Sequence, residues 1–503
     1  MDHTSFPLHE KTIAELQQLM ESGACTAVEI TQLYLDRIRE IDKNGPQINS
    51  VIEINPDALE IAKKMDQERA NGTIRGPLHG IPILIKDNID TGDKMLTTAG
   101  SIAMMHGPAQ KDAACIRPLR DAGAVLLGKT NLSEWANFRS TRSSSGWSSR
   151  LGQTKNPYAL DRSPSGSSSG SSAAVAANLC AVAIGTETDG SITSPAAACG
   201  LVGIKPTVGL VAQDGIIPIS ASQDTAGPMA RTVEDAALLL QFMIQSSSGE
   251  NKSDNLSPNY FDYANYLNKD AFSKTRIGVG RQFFGRHPES DRQMEEAIKL
   301  IRSLGAEIVD PVELPPATEW NHNEFTVLLH EFKSGLNSYL TTRNSDFPMK
   351  SLEDIINFNK KNGSSAMPIF DQEVLEMAQE KGSLEETEYL EALLACINAS
   401  RVNGLDIALE GLDALIAPTR GPVWLIDHVN GDSATPGCAT YPAVSGYPHI
   451  TLPLGFTGDL PLNISFIGRP WEENRLIGLA YAFEQATQAR RAPQFKPTSG
   501  ISA

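Results

Sequence analysis

Serine and lysine supply the side chains that could do chemistry in this chain. Serine hydroxyls crowd the stretch from Ser163 to Pro206, SPSGSSSGSSAAVAANLCAVAIGTETDGSITSPAAACGLVGIKP, which carries almost no long side chain. Such small residues let backbone come close to backbone or to a substrate. A serine hydroxyl is a weak nucleophile until a base takes its proton, and amide cleavage also needs donors aimed at the developing oxyanion. One candidate is Ser168, because Gly166-Ser-Ser168-Ser-Gly170 has the G-x-S-x-G spacing of a nucleophile elbow. That elbow hangs from an apolar strand and is served by a histidine further along the chain. Here Pro157–Pro164 is polar and turn-rich, and His287, His322, His330, His428 and His449 stand in ordinary contexts. The second candidate is Ser191. Ala181–Gly185 reads as a buried strand, Thr186–Gly190 as the sharp turn leaving it, and Ile192 onward as the start of a helix. Backbone N–H groups of such a turn converge and can hold an oxyanion. A serine in that place can equally be a silent helix N-cap.

Lys86 follows the apolar run Ile83-Leu-Ile85 and precedes Asp87 and Asn88. For a lone lysine at a strand end, an ion pair with the adjacent Asp87 is the plainer reading. Gly123-Ala-Val-Leu-Leu-Gly128-Lys129-Thr130 spells the phosphate-loop pattern GxxxxGK[ST]. That pattern works only where the intervening residues form an open loop whose N–H groups wrap phosphate. Here those residues read as the strand itself, with their N–H groups committed to a sheet, so nucleotide binding is not expected.

The elements that must position these residues follow from periodicity and capping. Thr12-x-x-Glu15 and Thr26-x-x-Glu29 are capping boxes opening two helices. Ile30, Leu33, Tyr34, Ile38 and Ile41 form one buried stripe. Residues 131–162 read as a polar loop around Arg139–Trp147, either a mobile surface loop or a substrate-facing edge. Ser143, Ser144 and Trp147, with Ser168, are therefore the candidate substrate contacts. Residues 246–258 look like an exposed connector. Arg276–Gly280, Asp291–Leu304 and Ala306–Asp310 form a β-α-β unit with a parallel strand pair. Residues 320–410 carry helical periodicity and are expected to pack on the sheet as a wall of the substrate site. Leu412–Pro418, Ile450–Leu454 and Leu462–Gly468 read as interior strands, Asn474–Ala486 as the last helix, and residues 491–503 as a flexible tail. The expected fold is α/β: a mixed, largely parallel twisted sheet flanked by helices. It forms a single domain over residues 1–490, with its catalytic core at about 70–235.

Composition narrows the partners. The hydrophobic content of 41% and charged content of 20% are those of an ordinary globular protein. A net charge of −17 argues against nucleic acid, since phosphate recognition needs clustered Lys and Arg. No apolar run is long enough to span a bilayer, so no membrane partner is expected. Cys25, Cys115, Cys180, Cys199, Cys396 and Cys438 are scattered without CxxC spacing, which reads as unpaired thiols rather than disulfides or a zinc site. The start MDHTSFPLHEKT lacks a basic then apolar leader, so the expected location is the cytoplasm, or periplasmic or secreted if a leader has been removed.

The ordered set of segments resembles the amidase signature family. PSGSSSGSSAAVAA and GTETDGSITSPAAACGLVGIKPT match its characteristic block. GPLHGIPILIKDNID, GAVLLGKTNLSEWANF, SQDTAGPMARTV and SGYPHITLPLGF extend the resemblance over most of the chain. The resemblance implies a Ser–cis-Ser–Lys triad: Ser191 as the acyl-forming nucleophile, Ser167 as the bridging serine and Lys86 as the base. The N–H groups of Thr188, Asp189, Gly190 and Ser191 would make the oxyanion hole. A lysine can serve as base only when neutral, and burial beside Ile83–Ile85 shifts its pKa in that direction. The resemblance implies no metal or organic cofactor, a small amide or amidated peptide as substrate, and a monomer or homodimer. The sequence departs from the usual family pattern: Ser165 and Ser169 replace glycines, Glu187 stands where Asp is usual, Asp189 replaces Gly, and Thr193 replaces Arg. The GTETDGSI version resembles the bacterial peptide amidase branch, which deamidates C-terminally amidated peptides. The alternatives within the family are an aryl-acylamidase, a fatty-amide hydrolase and an amidotransferase subunit.

Overall fold

Strands β1 (Val51–Ile54), β2 (Pro82–Lys86), β3 (Val125–Thr130), β4 (Trp147–Ser148), β5 (Gly152–Gln153), β6 (Val182–Glu187) and β7 (Val202–Lys205) occupy the first half of the chain. Strands β8 (Thr225–Ala230), β9 (Arg276–Val279), β10 (Glu307–Val309), β11 (Ala414–Pro418), β12 (His449–Thr457) and β13 (Leu460–Ile467) follow. The computed structural model describes residues 6–244 and 262–500, and the connector expected at 246–258 lies outside the described residues. Eleven strands join one sheet in the order β1-β3-β2-β6-β8-β7-β12-β13-β11-β9-β10, while β4 and β5 form a separate hairpin.

The sheet is mixed and flanked by helices, as expected, but its parallel share is smaller than the sequence suggested. Parallel pairing is confined to two blocks, β3-β2-β6 and β11-β9-β10. The strands between these blocks, and the edge strand β1, pair antiparallel. The reason is local. A parallel pair needs a long crossover, whereas β12 and β13 are joined directly by a tight turn at Gly458, whose φ of 57° suits glycine. In β2, β3 and β6 every residue is buried. Both sheet faces are covered there, which is why these strands read as apolar runs rather than alternating patterns. The decoy Gly123–Thr130 lies in and just before β3, paired on both sides by β1 and β2.

Both N-terminal capping boxes form: Thr12 accepts from the Glu15 N–H at 3.2 Å and Thr26 from the Glu29 N–H at 3.1 Å. The β-α-β unit forms too, with β9 and β10 parallel around the helix Pro288–Ser303. One of the two readings of residues 131–162 fails, and so does the expectation for the C-terminal segment. Residues 131–162 are not a mobile surface loop: Arg139 is fully buried against Glu134 at 2.9 Å, and Trp147 packs on Phe370 with ring centroids 5.0 Å apart. Residues 491–500 are not a free tail. Arg490 pairs with Glu10 at 2.7 Å, the Phe495 N–H donates to Pro157 O at 3.0 Å, and the Leu160 N–H donates to Lys496 O at 2.8 Å. In the first segment an ion pair and aromatic rings enclose the charge, and in the second main-chain hydrogen bonds hold the segment down, so polarity gave a false sign of exposure.

All six cysteines are free thiols. Among the described residues, no helix is long and apolar enough to cross a membrane.

Candidate active site

The parallel block β3-β2-β6 ends its strands together, with Lys86 opposite Thr130 and Ile85 opposite Ile184. Ligands of parallel sheets collect at such carboxyl ends. Lys86 is the last residue of β2 and fully buried. The serine-rich turn crosses this edge and runs into the helix Ser169–Ala176, every residue of which is buried. Close approach explains its composition. The Gly170 N–H donates to Asn131 O at 2.9 Å, and a Cβ on Gly170 would stand 2.6 Å from Asn131 N. The peptide between Gly166 and Ser167 is cis.

The Lys86 amine does not pair with Asp87, contrary to the plain reading of a strand-end lysine. Asp87 instead meets Arg150 at 3.2 Å. The Nζ atom lies 2.8 Å from Ser167 Oγ, 3.0 Å from Ser168 Oγ, 2.8 Å from Thr186 Oγ1 and 3.2 Å from Thr186 O. The hydrogens can be assigned within this group. Ser168 Oγ takes the Thr186 N–H at 3.2 Å and gives its own hydrogen to Thr186 O at 3.0 Å. Toward the lysine, Ser168 Oγ and Thr186 O are therefore acceptors. A neutral amine has two hydrogens for them and keeps its lone pair for a hydroxyl of Ser167 or Thr186. Burial pulls the Lys86 pKa down to about 7, although the Asp224 and Glu187 carboxylates push it up.

Ser191 joins this cluster through its backbone, since the Ser168 N–H donates to Ser191 O at 3.2 Å. It follows Gly190, whose φ of 75° makes the turn after β6. Among the described residues, no protein acceptor takes the N–H groups of Thr188, Asp189, Gly190 or Ser191. The next two N–H groups, of Ile192 and Thr193, are both consumed by Glu187 Oε2, at 2.8 and 2.9 Å. Glu187 also accepts from Thr193 Oγ1 at 3.2 Å, so two departures from the family pattern meet each other.

Other residues around the turn escaped the sequence reading. Asn88 Nδ2 donates to Thr186 Oγ1 at 3.0 Å, and its Oδ1 is buried without a partner. Asp224 accepts the Thr188 hydroxyl at 2.5 Å. Gln223 Nε2 bridges Thr188 O at 3.2 Å and Glu324 Oε1 at 3.0 Å. Asp189 accepts from Thr440 Oγ1 at 2.9 Å. Burial first, and then neighbouring negative charge, raises the pKa of both Asp189 and Glu324; Asp189 supplies the charge for Glu324. Gln223 and Asp224 sit in the segment SQDTAGPMARTV and Asn88 stands two residues after Lys86, so both places carried a signal. Glu324 carried none.

A cavity of about 740 Å³ borders this turn, lined by Asn88, Thr186, Thr188, Asp224, Ile217 and Tyr339 among others. Of the expected substrate contacts, Ser168 belongs to the lysine cluster. Ser143, Ser144 and Trp147 do not line this cavity. Ser143 Oγ accepts from the Ser140 N–H at 3.2 Å, Ser144 Oγ donates to Gln153 Oε1 at 3.4 Å, and Trp147 is buried beneath Phe370.

Residues 29–477 match the family model described as Amidase. The chain belongs to the amidase family. The native peptide amidase of Stenotrophomonas maltophilia is 47% identical, with a TM-score of 0.91 covering 97% of this chain and 99% of that one. An Arabidopsis thaliana protein described as a probable amidase is 37% identical over 98% of this chain and 93% of its own length. A glutamyl-tRNA(Gln) amidotransferase subunit from Thermoanaerobacter pseudethanolicus is 34% identical over 97% of this chain and 98% of its own length. The amidase described here is thus a hydrolase acting on carbon–nitrogen bonds of amides.

Proposed function

We propose that this amidase cleaves carboxylic amides through an acyl-enzyme on Ser191, with Ser167 and Lys86 moving the protons, and that its substrates are C-terminal peptide amides. The observation that carries this reading is the buried Lys86 amine, 2.8 Å from Ser167 Oγ and hydrogen-bonded only to neutral oxygens. Ser191 Oγ attacks the carbonyl carbon, its proton passes to Ser167 Oγ, and the Ser167 proton passes to the neutral amine of Lys86. The carbonyl oxygen becomes an oxyanion opposite the uncommitted N–H groups of Thr188–Ser191. The proton then returns through Ser167 to the leaving nitrogen, the C–N bond breaks, and ammonia departs. Water enters, loses its proton along the same route, and releases the acid from Ser191.

The peptide-amide reading is supported by the identity to peptide amidase and by Asp189. This residue stands in the turn beside Glu187, and Glu324 adds a further acidic group. A substrate carboxylate at the leaving-group side would add one more negative group beside acids whose burial already resists ionisation, whereas a carboxamide in the same place adds no charge. Asp189→Gly is expected to narrow the preference for amidated over free-carboxylate peptides. An unchanged preference would rule out this role.

The deciding experiment pairs a substrate panel with mass spectrometry. A peptide amide, an anilide and a long-chain amide are offered to the wild type, Ser191→Ala and Lys86→Ala. The reading expects the peptide amide to be turned over fastest and a covalent acyl adduct on the peptide bearing Ser191. Turnover retained in Ser191→Ala would refute it. Activity confined to a complex with partner proteins would favour the amidotransferase alternative.

A further inference from the structure

We propose that His330, Glu386 and Glu388 form a binding site for a divalent first-row transition ion of the zinc type, away from the serine cluster. His330 lies on the helix Asn321–Thr341 and is fully buried. Its Nδ1 stands 2.9 Å from Thr326 O, one turn back. A carbonyl can only accept, so Nδ1 carries a hydrogen and, in the neutral ring, Nε2 presents a lone pair. That lone pair faces Glu386 Oε2 at 3.4 Å and Glu388 Oε2 at 3.9 Å. Three acceptors facing one another repel unless a cation lies among them.

A proton on Nε2 is the simplest such cation, but the distances suit it poorly. A charge-assisted N–H···O bond closes to about 2.7–2.9 Å. Donor atoms held about 2.0–2.1 Å from a tetrahedral ion stand roughly 3.3 Å from one another, so the 3.4 Å separation to Glu386 fits such an ion and the 3.9 Å one requires the exposed Glu388 side chain to close by about half an ångström. A ring N–H donated to a backbone carbonyl is also how metal-ligating histidines fix their tautomer. One imidazole and two carboxylates suit a borderline ion such as Zn²⁺ or Co²⁺, with water completing the shell.

The surroundings leave room for an ion to enter. The Glu386 and Glu388 side chains are 48% and 56% exposed. Lys381 pairs with the other Glu388 oxygen, Oε1, at 2.7 Å, leaving Oε2 toward the histidine. The Glu386 carboxylate lies over Gly382, where any Cβ would overlap it. Behind the ring, Tyr389 packs at 5.6 Å and donates its hydroxyl to Glu331 at 2.7 Å. Glu331 in turn holds Ser220 Oγ at 2.5 Å and the Ser222 N–H at 3.0 Å, on the loop beside the 740 Å³ cavity. An ion at His330 would fasten this helix to residues 386–388 and stiffen the cavity wall, without taking part in acyl transfer.

The test uses the full chain after chelator treatment. ZnCl₂ is titrated by calorimetry, CoCl₂ is followed by its visible absorption, and thermal unfolding is recorded with and without Zn²⁺. One ion per chain is expected, with intense tetrahedral-type Co²⁺ bands and an unfolding temperature raised by a few degrees at about 100-fold excess over Kd. The double variant Glu386→Gln/Glu388→Gln alters only exposed side chains and should keep the basal unfolding temperature and amidase activity. It is expected to weaken binding by at least about tenfold and to lose the thermal shift. No saturable binding to the wild type at about 100 µM Zn²⁺ would overturn the proposal, as would equal affinity in the double variant.

Discussion

Lowering the pH through neutrality should convert Lys86 from a base into an ammonium and switch off acyl transfer. The sign follows from the role: only the deprotonated amine can take the Ser167 proton, so activity belongs to the high-pH side of its titration. The size follows from the site. With a pKa of about 7, about three quarters of the amine is neutral at pH 7.5. At the ordinary lysine value, about one part in a thousand would be. Burial therefore supplies nearly three orders of magnitude in competent enzyme. In kcat/KM for a peptide amide, measured at constant ionic strength, an acid limb centred near pH 7 is expected. Below about pH 6 it should fall tenfold per unit, with a plateau above about pH 8. Asp224→Asn removes a carboxylate that holds the lysine pKa up, so its limb should move to lower pH. An acid limb centred above pH 9 in the wild type, or a limb moved upward by Asp224→Asn, would refute this account of Lys86.

Two further predictions concern the frame around the site. Gly170→Ala places a methyl group against Asn131 and Ser50 where the helix rests on the end of β3, and should destabilise by roughly 1–3 kcal/mol in denaturant unfolding. The Glu10–Arg490 pair, which secures the end of the chain, should appear as acid sensitivity. Burial pushes the Glu10 carboxyl up, but the Arg490 charge beside it prevails and holds it down to about 2. Its folded value is thus depressed, so its contribution is complete above about pH 4.5 and is lost as the pH falls toward 2. Arg490→Ala should lower the unfolding temperature at pH 7 and lessen its decline between pH 4.5 and 2, read by calorimetry.

The reach of the sequence can be traced residue by residue. Ser191 stood out as a candidate because an apolar strand and a sharp turn of small residues precede it, whereas the roles given to Lys86 and Ser167 came from the family resemblance. No apolar strand leads into Ser167, and only the small residues of its turn, which close backbone approach imposes, marked the place. Gly170 is one such case, since its neighbours leave no space for a Cβ. Arg139 was misread for the opposite reason. Its charge suggested solvent, yet Glu134, Phe370 O and two aromatic rings enclose it. Glu324 was invisible because its meaning depends on Gln223 and Asp189, which only the folded chain brings near. Phe495, alone among polar neighbours, gave no periodicity by which burial could be recognised.

The helix Asn321–Thr341 touches the neighbourhood of the reaction at three heights. Glu324 meets Gln223, Glu331 meets Ser220 and Ser222, and Tyr339 donates to Asp90 at 2.8 Å. A rod fastened at top, middle and bottom cannot yield to a bulky guest at one point alone. Widening this side means shifting the whole length or recutting one bolt and its seat together. Selection for new guests should accordingly gather paired changes across this seam, while the serines and the lysine beneath stay as they are.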